Sequence, residues 1–198
     1  MTSAETSPSL AAIVAQVDPE LPESRTQTSP EGMVTIVFTD VEGSTEMIDT
    51  MGETSWLELM VTHNRIVRDC VHDHGGNVVR SEGDGFMLLF ASASASLAFA
   101  AEVQRLLADH SQSHPDQPLR VRVGAHTGNI FQSEHDFLGK AIVLAARITG
   151  RAQGGQVLIS EACWEYTRRL DRWHYGQPVE LELKGIRGTE RVHPLEWE

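Results

Sequence analysis

The sequence predicts an α+β fold built on a ferredoxin-like βαββαβ kernel, with additional helices and C-terminal strands. Three observations carry that expectation. Val34-Thr35-Ile36-Val37-Phe38-Thr39-Asp40 is β-branched and apolar, as buried strands are. Two stretches, residues 53–74 and 92–110, space their apolar residues at helical intervals. Between them, residues 77–80 and 86–90 flank the turn Glu82-Gly83-Asp84-Gly85 in the manner of a hairpin. This order fits helices covering one face of a largely antiparallel sheet.

The remaining elements follow along the chain. Val41-Glu42-Gly43-Ser44-Thr45 is a glycine turn in which Ser44 is placed to cap a helix. Trp56, Leu57, Leu59, Met60, His63, Ile66, Val67 and Cys70 recur at helical spacing along the first long helix, which Gly75-Gly76 ends. Residues 92–110 are Ala-rich and amphipathic, a second long helix. Residues 119–126 alternate as a half-buried strand that extends toward Ile130. A third helix is expected over 139–152, a strand over 156–160 and a short helix over 161–170. Residues 179–183 and 192–195 read as a terminal pair of strands. Residues 1–32 are rich in Ser, Thr, Pro and Glu and lack aromatic residues, so they are expected to form a flexible N-terminal tail before a domain spanning 33–198.

Composition narrows the function. A length of 198 residues suits one domain with a tail, and 40% hydrophobic with 22% charged residues is ordinary for a globular protein. Sixteen Lys+Arg against 28 Asp+Glu leave a formal charge of -12, which argues against nucleic acid or an anionic membrane as partner. No apolar stretch approaches the ~20 residues of a membrane span. The N-terminus lacks the basic start and apolar core of a secretory signal, so a cytoplasmic location is expected. Cys70 and Cys163, one on each of two expected helices, read as buried and unpaired.

Two acids occupy turns. Asp40 ends the first strand and Asp84 stands at the hairpin tip. Either both are ordinary turn aspartates, or they meet at one sheet edge and share a hard cation such as Mg²⁺ or Mn²⁺ with phosphate oxygens. Other chemistries lack their motifs. There is no Gly-rich phosphate loop ending in Lys-Ser/Thr, no paired-Cys zinc spacing and no HExxH. His72-Asp73-His74 reads as a solvated helix end, and His126 as a half-buried strand histidine. Ser44 and Ser160 have no base at recognisable spacing.

The wording around the acids is more specific. Phe38-Thr39-Asp40-Val41-Glu42-Gly43-Ser44-Thr45 resembles the first metal-binding segment of the class III nucleotidyl cyclases, and Glu82-Gly83-Asp84-Gly85-Phe86 resembles the second. The resemblance continues through Arg120-Val121-Arg122-Val123-Gly124-Ala125-His126-Thr127-Gly128, Asp136-Phe137-Leu138-Gly139, Ala145-Ala146-Arg147-Ile148 and Gly154-Gly155-Gln156-Val157-Leu158-Ile159-Ser160. It covers about residues 33–195 and looks closest to compact soluble bacterial members that use ATP. The Gly-Gly-acid-Glu-Phe signature of the related diguanylate cyclases is absent.

The resemblance implies a role for each matching position. Asp40 and Asp84, with the backbone carbonyl of Val41, would hold two Mg²⁺ or Mn²⁺ ions per site. Arg147 would stabilise the pentavalent phosphorus, Lys184 the terminal phosphates, and Asp136 would accept the adenine amino group. Family members of this kind are homodimers with sites at the interface, one subunit giving the metal aspartates and the other the remaining residues. Two positions depart from the pattern. Arg80 stands where ATP users carry a purine-reading Lys, and it retains donors in a larger planar fork. Val143 stands where an Asn orients the ribose, and valine cannot hydrogen-bond. The expectation is an adenylate cyclase acting on ATP, with turnover lowered by Val143. The alternative is a degenerate cyclase fold that binds nucleotide or regulates without significant catalysis.

Overall fold

The computed structural model describes residues 33–132 and 137–198; residues 1–32, expected to be a tail, and Asp136 lie outside the described residues. Strand β1 (Met33–Val41) is followed by helices α1 (Ser44–Met51) and α2 (Glu53–Asp73), the hairpin β2 (Asn77–Glu82) and β3 (Gly85–Phe90), and helix α3 (Ala93–Ser113). Strand β4 (Val121–Asn129) leads to a two-stranded arm, β5 (Phe131–Gln132) and β6 (Phe137–Leu138), and then to α4 (Lys140–Thr149), β7 (Val157–Ser160) and α5 (Glu161–Thr167). Strands β8 (His174–Tyr175), β9 (Val179–Glu182) and β10 (Thr189–Glu196) complete the chain.

The main sheet runs β2-β3-β1-β4-β7-β10-β8, with β9 paired to β10. Its first four strands have the order of the ferredoxin-like kernel, with β1 antiparallel to both β3 and β4. β7 then joins β4 in parallel.

Side-chain alternation decides what covers each face. Val37 and Val41 of β1 meet Leu59, Met60 and Val67 of α2 and Phe99 of α3 in the larger core. The other face of the same strands is also apolar: Val34, Ile36, Met87 and Leu89 meet Ala141 and Ala145 of α4. Helices therefore cover both faces, not one as the sequence suggested. A sheet with apolar residues on both faces cannot leave either side in water. α4 sits very close to the sheet because Gly124 presents no side chain to it. A Cβ there would lie 2.4 Å from the Thr149 backbone nitrogen.

Two local readings change. Ser44 is the first residue of α1 rather than its cap; Gly43, at φ 71°, holds the cap position with no side-chain hydrogen bond. The arm β5–β6 and the strand β8 have two residues per strand, too short to leave a periodic signal. Cys70 and Cys163 are buried and free, and burial pushes both thiols up to about 12. Among the described residues no helix is long and apolar enough to cross a membrane.

Candidate active site

Period-two alternation places Asp40 on the face of β1 that also carries Val34, Ile36 and Phe38, and the β1–β4 register sets it opposite Arg122. Arg122 Nη2 donates to Asp40 Oδ2. Asp84 occupies the second place of the two-residue hairpin turn, after Gly83 at φ 61°, a conformation glycine adopts without steric cost. Because Thr39 pairs with Phe86, the end of β1 runs alongside the hairpin tip.

The two carboxylates feel each other. Burial raises the pKa of Asp40 above the usual carboxylate range, the Arg122 guanidinium pulls it back, and the charge of Asp84 raises it again. The mutual repulsion of the two carboxylates is what a divalent cation would relieve. Their hard oxygen donors fit Mg²⁺ or Mn²⁺. Val41 is buried through its side chain, so only its backbone carbonyl could contribute. Among the described residues no group of three or more His, Cys, Asp or Glu forms a metal cluster, so substrate oxygens and water would complete the shell.

Beside Asp40 lies a cavity of about 420 Å³, walled by Phe38, Phe86 and Phe137 with Arg80 and Thr149 also contributing. Its volume and apolar walls suit a small organic ligand. Arg80 follows a register shift between Val78 and Arg80 in the hairpin. Asp136 lies outside the described residues, although its neighbour Phe137 lines the cavity. From α4, Ile142, Ala146 and Thr149 line the cavity. Val143 and Arg147 lie on the exposed face of that helix, outside the lining, as does Lys184 between β9 and β10. The chain thus sets Asp40 and Arg80 on one cavity with Asp84 close enough for its charge to act on Asp40, but leaves Arg147, Val143 and Lys184 facing outward.

A second set of contacts braces the site. Glu42 Oε1 accepts from the Gly154 backbone N–H at 2.8 Å, and Arg120 Nη2 donates to the Gly154 carbonyl at 2.8 Å. Arg120 Nε is 3.8 Å from Glu42 Oε2. This clamp joins the turn after β1, the start of β4 and the loop between α4 and β7.

The histidines take structural places. Ser160, read as lacking a base, has His126 Nδ1 at 2.8 Å from its Oγ. The hydroxyl is fully buried and also accepts from the Cys163 N–H at the start of α5, so it acts as a helix cap. Burial first, then the charge of Lys140, lowers the His126 pKa to about 4, keeping it neutral. His72 is exposed, whereas His74 bonds Glu102 at 2.6 Å.

A family model of the adenylate and guanylate cyclase catalytic domain matches residues 26–196. The chain belongs to that family. An adenylate cyclase of Lachancea kluyveri is 31% identical over 170 residues, which cover 73% of this chain and 9% of that protein. An uncharacterised protein of Mycobacterium tuberculosis is 33% identical over 168 residues, covering 82% of this chain and 54% of its own length. This cyclase domain therefore spans about half of the mycobacterial relative and a small part of the yeast one. Among solved structures, the adenylyl cyclase CyaB from P. aeruginosa shares the fold with a TM-score of 0.75 at 18% identity, covering 83% of this chain and 93% of that one. A Trypanosoma brucei adenylate cyclase matches with a TM-score of 0.73 at 25% identity, covering 91% and 94%.

Arg122 and Glu42 were not singled out from the sequence of this cyclase domain. Alternation alone put Arg120 and Arg122 on the same side of their strand. Which acids they meet depends on the β1–β4 register, and that is a tertiary fact.

Proposed function

We propose that this cyclase domain converts ATP to 3′,5′-cyclic AMP and pyrophosphate as a cytoplasmic homodimer, with two Mg²⁺ or Mn²⁺ ions per site. The observation that carries the reading is the split arrangement of its polar groups. Asp40 and Arg80 line one cavity and the charge of Asp84 acts on Asp40, while Arg147 and Lys184 face outward, where a second copy could receive them. A two-fold pair would complete two equivalent sites, each with the acids of one subunit and the outward residues of its partner.

In such a site the ribose 3′-hydroxyl gives its proton to solvent as its oxygen attacks the α-phosphorus, the bond to the bridging oxygen breaks, and pyrophosphate leaves. Asp40, Asp84 and the Val41 carbonyl would hold the metals, which when bound acidify the 3′-hydroxyl and offset charge on the leaving phosphates. Arg147 neutralises charge growing on the equatorial oxygens, and Lys184 holds the terminal phosphates as a point charge. Asp136 accepts from the adenine amino group and Arg80 donates to adenine N1. His126 is not the general base, because its Nδ1 is engaged by Ser160 and it is held within the strand.

Val143 supports a second reading, a nucleotide-binding regulator without significant catalysis, because nothing at that position can orient the ribose. One experiment separates the two: product formation from ATP and from GTP, first with Mn²⁺ and then with Mg²⁺. Cyclic AMP formation that disappears in Asp40→Ala and in Asp84→Ala, with folded protein by circular dichroism, supports the enzyme. Nucleotide binding without any cyclic product supports the regulator. GTP cyclised as fast as ATP would withdraw the role of Asp136, since an acceptor facing guanine O6 should cost about 1–3 kcal/mol.

A further inference from the structure

Arg122 on β4 and Arg120 just before that strand stand two residues apart, yet they are satisfied very differently. Arg120 donates to the Gly154 carbonyl and lies near Glu42, so it is built into the clamp. Arg122 is engaged through Nη2 alone, on Asp40, and its Nε is buried with no hydrogen-bond partner among the described residues. An arginine kept for strength would pair in a bidentate fork and satisfy more of its five donors. Both partners are also partly wet. The Arg122 side chain is 28% exposed and that of Asp40 39%, so the pair can separate without disturbing either strand. The acid it holds is one of the two read above as metal ligands, and the like charge of Asp84 also acts on that acid.

We propose that Arg122 is a displaceable counter-ion: it occupies Asp40 in the nucleotide-free protein, and a divalent cation must compete with it for the carboxylate. The inference rests on the reading of Asp40 and Asp84 as the metal-holding pair. One carboxylate cannot give the same oxygen fully to a guanidinium and to a metal, so the contact competes with the ion. Arg122 is then a positioning residue. It keeps two like charges from facing each other bare while the site is empty, and it lowers metal affinity until it is released. Removing it takes the counter-charge from Asp40, which should draw a cation more strongly.

The test is titration of the full, nucleotide-free chain with Mn²⁺, following free ion by electron paramagnetic resonance, so no turnover is needed. Arg122→Ala should bind Mn²⁺ about fivefold more tightly than the wild type, the size that a partly exposed ion pair supports. Arg122→Gln, which keeps a polar side chain and removes the charge, should show the same gain and serves if the alanine variant folds poorly. In an Asp40→Asn background the gain should vanish. Unchanged or weaker binding in both Arg122 variants would overturn the proposal, as would a gain that persists without Asp40. If Asp40→Asn and Asp84→Asn leave wild-type Mn²⁺ binding untouched, the failure lies with the metal-pair reading itself.

Discussion

Gly124→Ala tests how closely the site depends on the seat of α4. A Cβ at Gly124 would stand 2.3 Å from Thr149 Oγ1, 2.4 Å from its backbone nitrogen and 2.7 Å from its Cα. The hydroxyl could rotate away, but the backbone of a helix end cannot. Ordinary contact begins near 3.4 Å, so α4 must back off by roughly 1 Å, the kind of overpacking that costs ~1–3 kcal/mol. Arg147 is in the last turn of the same helix and would move with it. A 1 Å misplacement of a catalytic group can cost ~10²-fold in rate. The assay is a urea unfolding midpoint at constant m, paired with cyclic AMP formation. Gly150→Ala is the control. Its φ is -66°, its added Cβ meets nothing closer than 3.7 Å, and it should be neutral or stabilising by ~0.4–1 kcal/mol. A Gly124→Ala protein as stable and as active as the wild type would refute the argument that α4 is fixed by backbone contact.

Three further outcomes are expected. Asp40→Ala and Arg147→Ala chains should each be inactive alone and regain activity on mixing, because one heterodimer site carries neither lesion; proven heterodimers without activity would refute the shared site. Val143→Asn should raise kcat by ~10-fold or more with a smaller effect on ATP affinity, since the new amide, four residues before Arg147 on the same exposed helical face, can fix the ribose. Normal ATP binding with unchanged kcat would mean that another group orients the sugar. Finally, His63 is fully buried and its pKa is pushed down to about 4, chiefly by burial. Below pH 6.5 the unfolded chain gains a proton that the folded chain refuses, so stability present above pH 6.5 is lost as pH falls toward 4. At ~1.4 kcal/mol per pH unit the loss approaches about 3 kcal/mol. Urea melts at pH 7, 6 and 5 should show a flatter decline in His63→Leu, and equal slopes would refute the assignment.

The fold was legible where physics acts locally. The β-branched run of β1, the hairpin glycines and the helical spacing of α2 each specify conformation within a few residues. What escaped depends on distant partners. That α4 covers the second face follows from Gly124 meeting Thr149, residues 25 positions apart that no local pattern connects. The site divides in the same way. Asp40 and Asp84 stood out because the wording around each resembles a metal-binding segment of a known family, and the pairing of β1 with β3 runs the strand end alongside the hairpin tip. Arg122 was one charge in an alternating strand until the register set it across from Asp40. The His126–Ser160 contact joins two strands paired in parallel, whose offset no sequence spacing encodes.

The Glu42 clamp has a consequence for communication in the proposed dimer. By its grip on Gly154, a single carboxylate fastens the turn after Asp40 to the loop that follows the Arg147-bearing helix. Under two-fold symmetry those parts of one chain serve opposite sites: the acid end belongs to one, the arginine helix to the other. Each subunit then behaves as a lever with a working point at either end and Glu42 at its pivot. If the proposed dimer forms, the clamp gives filling of one site a path to its twin, and the predicted signature is unequal affinity for the first and second nucleotide. Glu42→Gln keeps the shape but weakens the grip on the Gly154 N–H and removes the charge beside Arg120. In that variant the two binding steps should become equal while each site, filled alone, still binds.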